Sequence, residues 1–414
     1  MENNLIPKLR FPEFQDNWKE SKLSQIAKFS KGKGISKSDI DENGQIECVR
    51  YGELYTHYKE TINEVKSKTN LSKEELIFSE ENDVIIPASG ETQLDIATAS
   101  CVTRSGIALG GDLNIIKSKA NGVFLSYYLN SKKKIDIAKL AQGISVVHLY
   151  SSQLGLLKIN LPNTEEQQKI ATFLTSVDER LTLLAQQKEK LELYKKGVMQ
   201  QIFSQKLRFK DENGNEYPNW EEKKLGEIGF FQTSSIDKLT KDDEKKVFLV
   251  NYMNVYRHED INNETVKSFQ IVSAKESQIE SCNLKKGDIL FTPSSETPDD
   301  IGRSVVIFED LENSVFSYHL MRFRPTIEIN ILYSHYFCNV PNVLKQLSKY
   351  ATGSTRFTIS VGNFSKVKVQ IPHLEEQQKI ASFLSAIDFQ IEGVSKKIKQ
   401  TKLFKKGLLQ QMFV

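Results

Sequence analysis

Two long stretches of the chain carry apolar residues at alternating steps of four and three positions, and the second stretch lies 210 residues after the first. No proline occurs from Thr164 to Gln205. A 3.5-residue repeat of this length is typical of helices that pair in a coiled coil. The first helix carries the stripes Ile170, Val177, Leu184, Leu191, Val198 and Leu174, Leu181, Lys188, Lys195, Ile202; the second carries Ile380, Ile387, Val394, Thr401, Leu408 and Leu384, Ile391, Ile398, Lys405, Met412. We therefore predict two long helices that pair with each other.

The helices belong to a repeat that runs through the whole chain. LPNTEEQQKIATFL at 161–174 returns as IPHLEEQQKIASFL at 371–384, and KKGVMQQIF at 195–203 returns as KKGLLQQMF at 405–413. DVIIPASGET and DILFTPSSET match at an offset of 205 residues, so the second half carries insertions. Insertions normally fall in surface loops. The repeat indicates that each half does the same job at a different place.

Between the helices, short apolar or alternating runs bounded by Gly, Ser and Pro predict strands. We expect an α+β chain made of a mixed α/β domain (1–160), a central helix (161–205), a second mixed α/β domain (206–370) and a C-terminal helix (371–414). The first helix passes directly into the second domain, which leaves little linker and favours antiparallel helices. The C-terminus should then lie near the start of the first domain, which makes the chain pseudo-twofold and pseudo-circular.

Several non-apolar helix positions carry their own predictions. Thr164 followed by Gln167 resembles a capping box, which the second helix lacks. Lys195 and its counterparts interrupt the apolar seam, either by snorkelling or because the helices diverge there. Gly197 and Gly407 each cost about 1 kcal/mol relative to alanine within a helix. They suggest a close approach by another backbone.

A coiled-coil seam needs only its apolar positions, so repetition of EEQQK and KKGxxQQxF indicates a further role in docking a partner. The alternative is that the helices only space two domains or dimerise the protein. The candidate seam and docking residues are Gln167, Gln168, Ile170, Leu174, Val177, Leu181, Leu184, Gly197, Gln377, Gln378, Ile380, Leu384, Ile387, Ile391 and Gly407.

Composition and motifs argue against an enzyme. The net charge of +3, from 56 basic and 53 acidic residues, is too even to indicate nucleic acid by itself. No apolar run could form a membrane span or a signal peptide, so we expect a cytoplasmic protein. The four cysteines lack paired spacing, which favours reduced thiols. The chain has no phosphate loop, no HExxH and no Cys/His metal spacing. We expect neither catalysis nor a metal site.

The order KLRFPEF…W…KL, then DVIIPASGET, then LPNTEEQQKIATFL with KKGVMQQIF, all duplicated, resembles the specificity subunit of type I restriction-modification systems. The resemblance implies two target recognition domains, each reading one half of a split DNA site, held apart by two antiparallel helices. It also implies two docked methyltransferase subunits and two motor-nuclease subunits. S-adenosylmethionine, ATP and Mg²⁺ would be bound by those partners and not by this chain.

The framework repeats but the residues between do not, so we expect the halves to read different sequences in an asymmetric, bipartite site. Arg356 is the preferred base-reading candidate because arginine can contact a guanine edge or a phosphate bidentately. Tyr51, Tyr55, Tyr252 and Tyr256 lie in strand-like segments and are expected in cores. The DNA-binding candidates are Lys31, Lys33, Lys37, Ser89, Thr92, Lys132, Lys133, Ser234, Ser235, Lys238, Ser294, Thr297, Arg303, Thr355 and Arg356.

Two other classes of protein remain open from the sequence. One is a coiled-coil scaffold with two protein-binding heads and no role in DNA recognition. The other is the recognition subunit of a restriction system that cuts on both sides of its site.

Overall fold

A computed structural model describes residues 5–143, 146–238 and 240–414. Contacts divide the chain into two compact units. The first unit contains the chain up to Gln186 together with Lys396–Val414, and the second contains Gln187–Ser395. Each unit therefore combines one globular part, called here the first or second head, with portions of both long helices. Every unit is mixed α/β, as the sequence predicts, while the domain limits given above stay a prediction.

The first head is built from short strands and helices around four small sheets. Its sheets have the strand orders β2-β10-β6-β8-β4, β5-β3-β9, β1-β12 and β11-β7. The elements are β1 (Lys19–Lys22), α1 (Leu23–Ile26), β2 (Ala27–Lys31), β3 (Ile46–Val49), α2 (Glu53–Thr56), β4 (Thr61–Ile62), β5 (Ser67–Thr69), β6 (Val84–Pro87), β7 (Ser89–Gly90), α3 (Gln93–Ile96), β8 (Ser100–Val102), β9 (Ala108–Leu109), β10 (Leu113–Ser118), α4 (Gly122–Ser131), α5 (Lys134–Leu140), β11 (Val147–His148), α6 (Ser151–Gly155) and β12 (Lys158–Leu161).

The first long helix, α7, and the elements of the second head follow in the chain. The sheets of the second head have the strand orders β14-β22-β18-β20, β16-β15-β21-β17, β13-β24 and β19-β23. The elements are α7 (Thr164–Phe203), β13 (Glu221–Lys224), α8 (Leu225–Ile228), β14 (Gly229–Thr233), β15 (Lys245–Val250), α9 (Tyr252–Tyr256), β16 (Gln270–Ala274), α10 (Glu276–Ser281), β17 (Asn283–Leu284), β18 (Ile289–Phe291), β19 (Ser294–Ser295), β20 (Ser304–Val306), β21 (Leu311–Phe316), β22 (Met321–Pro325), α11 (Ile331–Phe337), α12 (Pro341–Tyr350), β23 (Phe357–Thr358), α13 (Val361–Ser365), β24 (Lys368–Ile371) and the second long helix α14 (Leu374–Gln411).

The long helices run antiparallel within the first unit. Lys405 on α14 bonds Asp178 on α7. Eight residues further along the chain, just beyond the end of α14, Phe413 packs on Trp18, whose indole in turn reaches Glu166 near the start of α7. The neighbours on α7 thus move backward as α14 moves forward, which confirms the predicted antiparallel order.

The second unit repeats this arrangement with the roles of the helices exchanged. Lys195 on α7 bonds Asp388 on α14. Eight residues further along α7, Phe203 packs against Trp220, which donates to Glu376 near the start of α14. The same internal contacts therefore recur in both units, as the repeat predicts, while the pseudo-twofold relation between the units stays a prediction.

The predicted capping box at the start of α7 is wrong. Asn163, one residue earlier, caps the helix, because its Oδ1 accepts from the backbone N–H of Glu166 at 2.9 Å. Thr164 is already helical, and Gln167 points elsewhere. At the start of α14, the backbone N–H of Gln377 donates to the carbonyl of His373 at 2.9 Å.

The last residues of the chain return to the first head. The N–H of Leu9 donates to the carbonyl of Gln411 at 3.0 Å, and the ring of Phe413 lies 6.4 Å from that of Trp18. Phe413 also contacts Phe124 and Tyr128 in the same core. The predicted pseudo-circular path is therefore confirmed within the first unit.

Candidate nucleic-acid interface and helix surfaces

A buried ion pair joins each head to the start of its long helix. The guanidinium of Arg10 donates twice to Glu166, at 2.7 Å each, and that of Arg208 donates to Glu376 at 3.0 and 2.7 Å. Both glutamates are fully buried. The hydrogen bonds from Arg10 to Glu166 raise the pKa of Arg10 and keep it charged. The second glutamate of the EEQQK motif is thus a buried structural residue in both halves.

The next glutamine in each motif is also used inside its own unit. The amide of Gln167 donates to the carbonyl of Pro162 at 2.8 Å and accepts from the N–H of Asn121 at 2.9 Å. Gln377 makes the same bonds with Pro372 and Asn330, both at 2.9 Å. Asn121 also donates to Gln168, and Asn330 to Gln378. Through Asn121 and Asn330, which cap α4 and α11, these four glutamines hold the starts of those two helices. Their role in docking a partner stays a prediction.

The lysines that interrupt the seam are paired across the helices. Lys195 Nζ lies 2.5 Å from Asp388 Oδ1 and 5.3 Å from the ring centroid of Tyr336. The hydroxyl of Tyr336 donates to Asp388 Oδ2 at 2.8 Å. Burial, reinforced by the hydrogen bond to Asp388, raises the pKa of Tyr336 and keeps it a neutral donor. The seam therefore contains a polar cluster that ties both helices to the second head.

The first unit holds the matching cluster at an offset of 210 residues. Lys405 Nζ lies 2.8 Å from Asp178 Oδ2, 3.2 Å from Glu60 Oε2 and 5.2 Å from the ring centroid of Tyr127. Tyr127 donates to Asp178, which corresponds to Asp388. Glu60 adds a carboxylate that is absent from the described contacts of Lys195. In the first unit, the lysine of α14 is thus also paired directly with a carboxylate of the head.

The apolar seam positions behave as the periodicity predicts. Those nearest each head are buried, and Leu184 and Ile391 are half-buried. The buried members are Ile170, Leu174, Val177 and Leu181 in the first unit and Ile380, Leu384 and Ile387 in the second.

Each long helix also exposes an apolar pair that the sequence reasoning missed. Leu193 and Tyr194 are 61% and 53% exposed, and their counterparts Leu403 and Phe404 are 62% and 54% exposed. Gly197 follows within one helical turn, and nothing in the described chain lies near the Cβ that it lacks. The signal was present in the sequence as LYKKG and LFKKG, where two exposed apolar residues precede each repeated glycine.

The DNA-binding candidates of the first head fall into two groups. Lys31, Lys33 and Lys37 are exposed near the end of β2, and Thr92 caps α3 by accepting from the N–H of Asp95 at 3.1 Å. Ser89 is buried in β7, where it pairs with β11. Lys132 and Lys133 lie elsewhere: Lys132 donates to the carbonyl of Gln410 at 3.2 Å, and Lys133 pairs with Asp136 at 3.7 Å.

A groove of about 580 Å³ lies beside the first group. Lys37, Arg50, Tyr51, Tyr55 and Glu91 line it. The groove combines two cations and two tyrosine rings with the three carboxylates of Glu53, Glu91 and Asp112. These are side-chain types that contact phosphates and base edges.

Arg356 and Arg303 differ sharply in their surroundings within the second head. Arg303 donates to Asp300 Oδ1 at 2.9 and 2.6 Å and lies over the ring of Tyr256. Partial burial opposes ionisation of Asp300, but the hydrogen bonds from Tyr256 and Arg303 outweigh it and lower the pKa of Asp300. Arg356 makes one long bond, 3.3 Å, to the hydroxyl of Ser294. The charge of Arg356 is therefore available, while that of Arg303 is matched.

The remaining candidates of the second head are mostly engaged locally or exposed. Ser234 accepts from the N–H of Ile236 at 3.0 Å, and Ser235 accepts from the amide of Gln278 at 3.1 Å. Thr297 donates its N–H to Ser295 at 3.0 Å. Lys238 and Thr355 are exposed. Ser294 and Arg356 are thus the only members of the candidate set in this head that contact each other among the described residues.

The expectation that the four tyrosines lie in strands within cores is wrong. Tyr252 and Tyr256 lie on α9, Tyr55 on α2 and Tyr51 in the turn before it. All four are exposed or half-buried. Strand β3 ends before Tyr51 because Glu53 accepts from the N–H of Arg50 at 2.9 Å and starts a helical turn. At α9 the N–H of Asn251 likewise donates to Asn254 Oδ1 at 2.8 Å, and Asn251 Oδ1 accepts from the N–H of Tyr252. The tyrosines therefore line the surface beside the other candidates, at matching places in the two heads.

No group of three or more His, Cys, Asp or Glu side chains among the described residues could hold a metal ion. No described helix is both long and apolar enough to cross a membrane.

Two mixed α/β units, each built from one head and portions of both long helices, define a duplicated protein. The family model of the type I restriction modification DNA specificity domain matches residues 15–193 and again 217–402. The chain therefore belongs to that family.

Relatives and solved structures agree with this assignment. The type I restriction enzyme MjaVIII specificity subunit of Methanocaldococcus jannaschii is 26% identical over 425 residues, which cover 97% of this chain and 92% of that protein. The S subunit of a type I restriction-modification system from M. genitalium has a TM-score of 0.61 at 17% identity, covering 99% of both chains. A chain from a structure of complex assembly and conformational transition in the type I R-M system has a TM-score of 0.57 at 16% identity, covering 97% of this chain and 98% of that one. At these identities the structures show a shared fold.

Proposed function

We propose that this chain is the DNA-recognition subunit of a type I restriction-modification complex and that each head reads one half of an asymmetric, bipartite site. The observation that carries the proposal is a repeated surface with unlike lining. Both heads place two tyrosines beside basic residues. The first head offers Lys37, while Arg50 pairs with Glu53 at 3.4 Å; the second offers Arg356, while Arg303 pairs with Asp300. Different charges and donors on one framework read different bases.

The repeated tyrosines have a sequence-independent role in this proposal. Residues that read different bases should differ between the heads, whereas residues that contact the phosphate backbone can be the same. Tyr51 corresponds to Tyr252, and Tyr55 to Tyr256. We assign these hydroxyls and rings to positioning the duplex, and we assign base reading to the unlike neighbours.

The long helices set the distance between the half-sites in this proposal. At ~1.5 Å per residue, helices of 40 and 38 residues are each ~60 Å long. Half-sites must be presented at a fixed separation and on the correct face of the duplex. The buried seam and the paired lysines support a fixed helix register.

We further propose that the helices dock two methyltransferase subunits, one on each repeat, and that two motor-nuclease subunits join them. The exposed pair Leu193 and Tyr194 with Gly197, and the matching pair Leu403 and Phe404, fit such a surface because aromatic and aliphatic anchors dominate protein interfaces. The chain itself performs no catalysis in this scheme, and S-adenosylmethionine, ATP and Mg²⁺ belong to the partners.

Selection from random-sequence duplex DNA tests the proposal. The chain, alone and with its methyltransferase subunit, is incubated with a random library and the retained DNA is sequenced. Two different short motifs at a fixed separation are expected. Retention without enrichment, or enrichment of one uninterrupted motif, would contradict bipartite reading. A pure protein scaffold would retain no DNA. Methylation by the purified chain with S-adenosylmethionine would refute the non-catalytic role.

A further inference from the structure

The last part of α14 is much more basic than its repeat in α7. Residues 393–414 contain six lysines and no acidic residue, whereas residues 183–204 contain four lysines and two glutamates. The local net charges are therefore +6 and +2. Lys399 and Lys402 stand where α7 has Glu189 and Glu192. Two surfaces that share their glycine and their exposed apolar pair thus differ by four charges.

A groove in the first unit concentrates this charge. Its volume is about 440 Å³, and Leu181 and Leu409 form apolar walls. Lys132, Lys402, Lys405 and Lys406 also line it. The charge of Lys405 is met by Asp178 and Glu60, and Lys132 donates to a backbone carbonyl. Lys402 and Lys406 make no ion pair or hydrogen bond with the described parts of the chain. The groove therefore presents two uncompensated cations beside apolar surface.

The matching surface of the second unit lacks this property. Glu192 replaces Lys402 there and pairs with Lys188 at 3.6 Å along the same helix. Its charges thus compensate one another locally. A partner that carries acidic residues gains attraction at the α14 surface that it does not gain at the α7 surface.

We infer that the α14 surface binds an acidic, amphipathic helix of the methyltransferase subunit and that the two docking surfaces bind identical subunits with unequal affinity. The inference rests on the proposed docking function. The apolar components decide between a protein and a nucleic acid as the occupant. Leu403 and Phe404 lie exposed among the lysines, and the groove walls are leucines. A phosphate backbone offers nothing to cover them, whereas a helix with acidic and apolar faces covers both.

Reciprocal charge exchanges test the inference. Lys399→Glu with Lys402→Glu gives the α14 segment the net charge of its counterpart, and Glu189→Lys with Glu192→Lys gives the α7 segment the higher charge. All four positions are exposed, so both variants should fold. The methyltransferase subunit of the same system is titrated onto each chain, and complexes with one and two bound subunits are resolved by mass photometry at several salt concentrations.

In the wild-type chain, the two dissociation constants should differ about tenfold at low salt and converge at high salt, because salt screens exposed charges. The Lys→Glu variant should lose the tighter site, and the Glu→Lys variant should gain a second tight site. Equal affinities in the wild type, or no effect of the exchange, would overturn the inference and leave docking intact.

Two other outcomes separate the remaining possibilities. If the Lys→Glu variant weakens only the binding of non-specific duplex DNA and leaves both affinities for the methyltransferase unchanged, the surface binds nucleic acid and the inference is wrong. If no methyltransferase subunit binds any chain at low salt, the proposed docking function fails together with the inference.

Discussion

Lys195 Nζ on α7 lies 2.5 Å from Asp388 Oδ1 on α14, inside a largely apolar seam. The pair returns 210 residues away as Lys405 and Asp178, at 2.8 Å, with the helices exchanged. In each case a tyrosine of the head donates to the aspartate, as Tyr336 does at 2.8 Å. A polar residue in a helix seam is best attested as a device that fixes register. Each head is thus bonded at the point where the register is set.

Asp388→Leu should lower the free energy of unfolding by about 1–2 kcal/mol, which lies between the effects of exposed and buried pairs. The change strands Lys195 in the seam and leaves the Tyr336 hydroxyl without its acceptor. The double variant Lys195→Leu/Asp388→Leu should lose less, since it restores an apolar seam. Urea unfolding measures both. A near-neutral single variant, or a double variant that is less stable than Asp388→Leu, would contradict this account.

Glu376→Gln should lower the free energy of unfolding by about 3 kcal/mol, because it breaks a buried ion pair and leaves Arg208 without a countercharge. The indole N–H of Trp220, which donates to Glu376 at 2.9 Å, would face a weaker acceptor. Glu375→Gln is the matched control, since Glu375 is exposed and should change stability by less than about 0.5 kcal/mol. Thermal unfolding of the two variants decides the matter, and equal melting temperatures would show that Glu376 is not structural.

The seam was predictable because helix periodicity is a local property of the sequence. The antiparallel order was predictable because the first helix passes directly into the second domain with little linker. The structural role of the second glutamate in EEQQK could not be predicted from the helix sequence. Glu166 bonds Arg10 across 156 residues, and Glu376 bonds Arg208 across 168. The sequence of the helix alone does not show that its charged residue is buried. The available signal was that the arginine of KLRF and the glutamate of EEQQK, which carry opposite charges, repeat together.

The tyrosine surface was missed for a different reason. VRYGELY and VNYMNVY are rich in Val and Tyr, which favour strands. Helices α2 and α9 span only four and five residues, too few for a 3.6-residue period to show. The side chains of Glu53 and Asn251 decide the local structure by accepting backbone N–H groups. Asn251, directly before α9, was a readable cap.

Arg356→Ala should lose ~1–3 kcal/mol of binding to the selected DNA and relax one position of the second half-site. The reason is that Arg356 makes a single 3.3 Å bond within the head, so its donors remain for a base or phosphate. Arg303→Ala is the comparison, because Asp300 already neutralises Arg303. Repeating the selection with each variant shows which position relaxes. An unchanged motif and affinity for Arg356→Ala would remove it from the base-reading set.

Tyr51→Ala should weaken binding to every sequence about fivefold, roughly the loss of one hydrogen bond to the backbone, and leave both motifs unchanged. Tyr194→Ala is the control: Tyr194 lies on α7 and is 53% exposed against 36% for Tyr51, and its loss should leave DNA affinity unchanged in the isolated chain. Fluorescence anisotropy with selected and scrambled duplexes gives the two affinities. A loss confined to the selected duplex would make Tyr51 a base-reading residue instead.

The proposed spacing role of the helices predicts the effect of adding one heptad to each. Insertion of seven helical residues after Gln186 and after Ser395, at the boundary between the two units, keeps the apolar seam in phase. Each helix lengthens by ~10 Å at ~1.5 Å per residue, which corresponds to about three base pairs. Selection from random duplex should then return the same two motifs with a spacer longer by about three base pairs. Insertion in α7 alone puts the helices out of register and should abolish bipartite selection. An unchanged spacer in the double insertion would show that the helices do not set the separation of the half-sites.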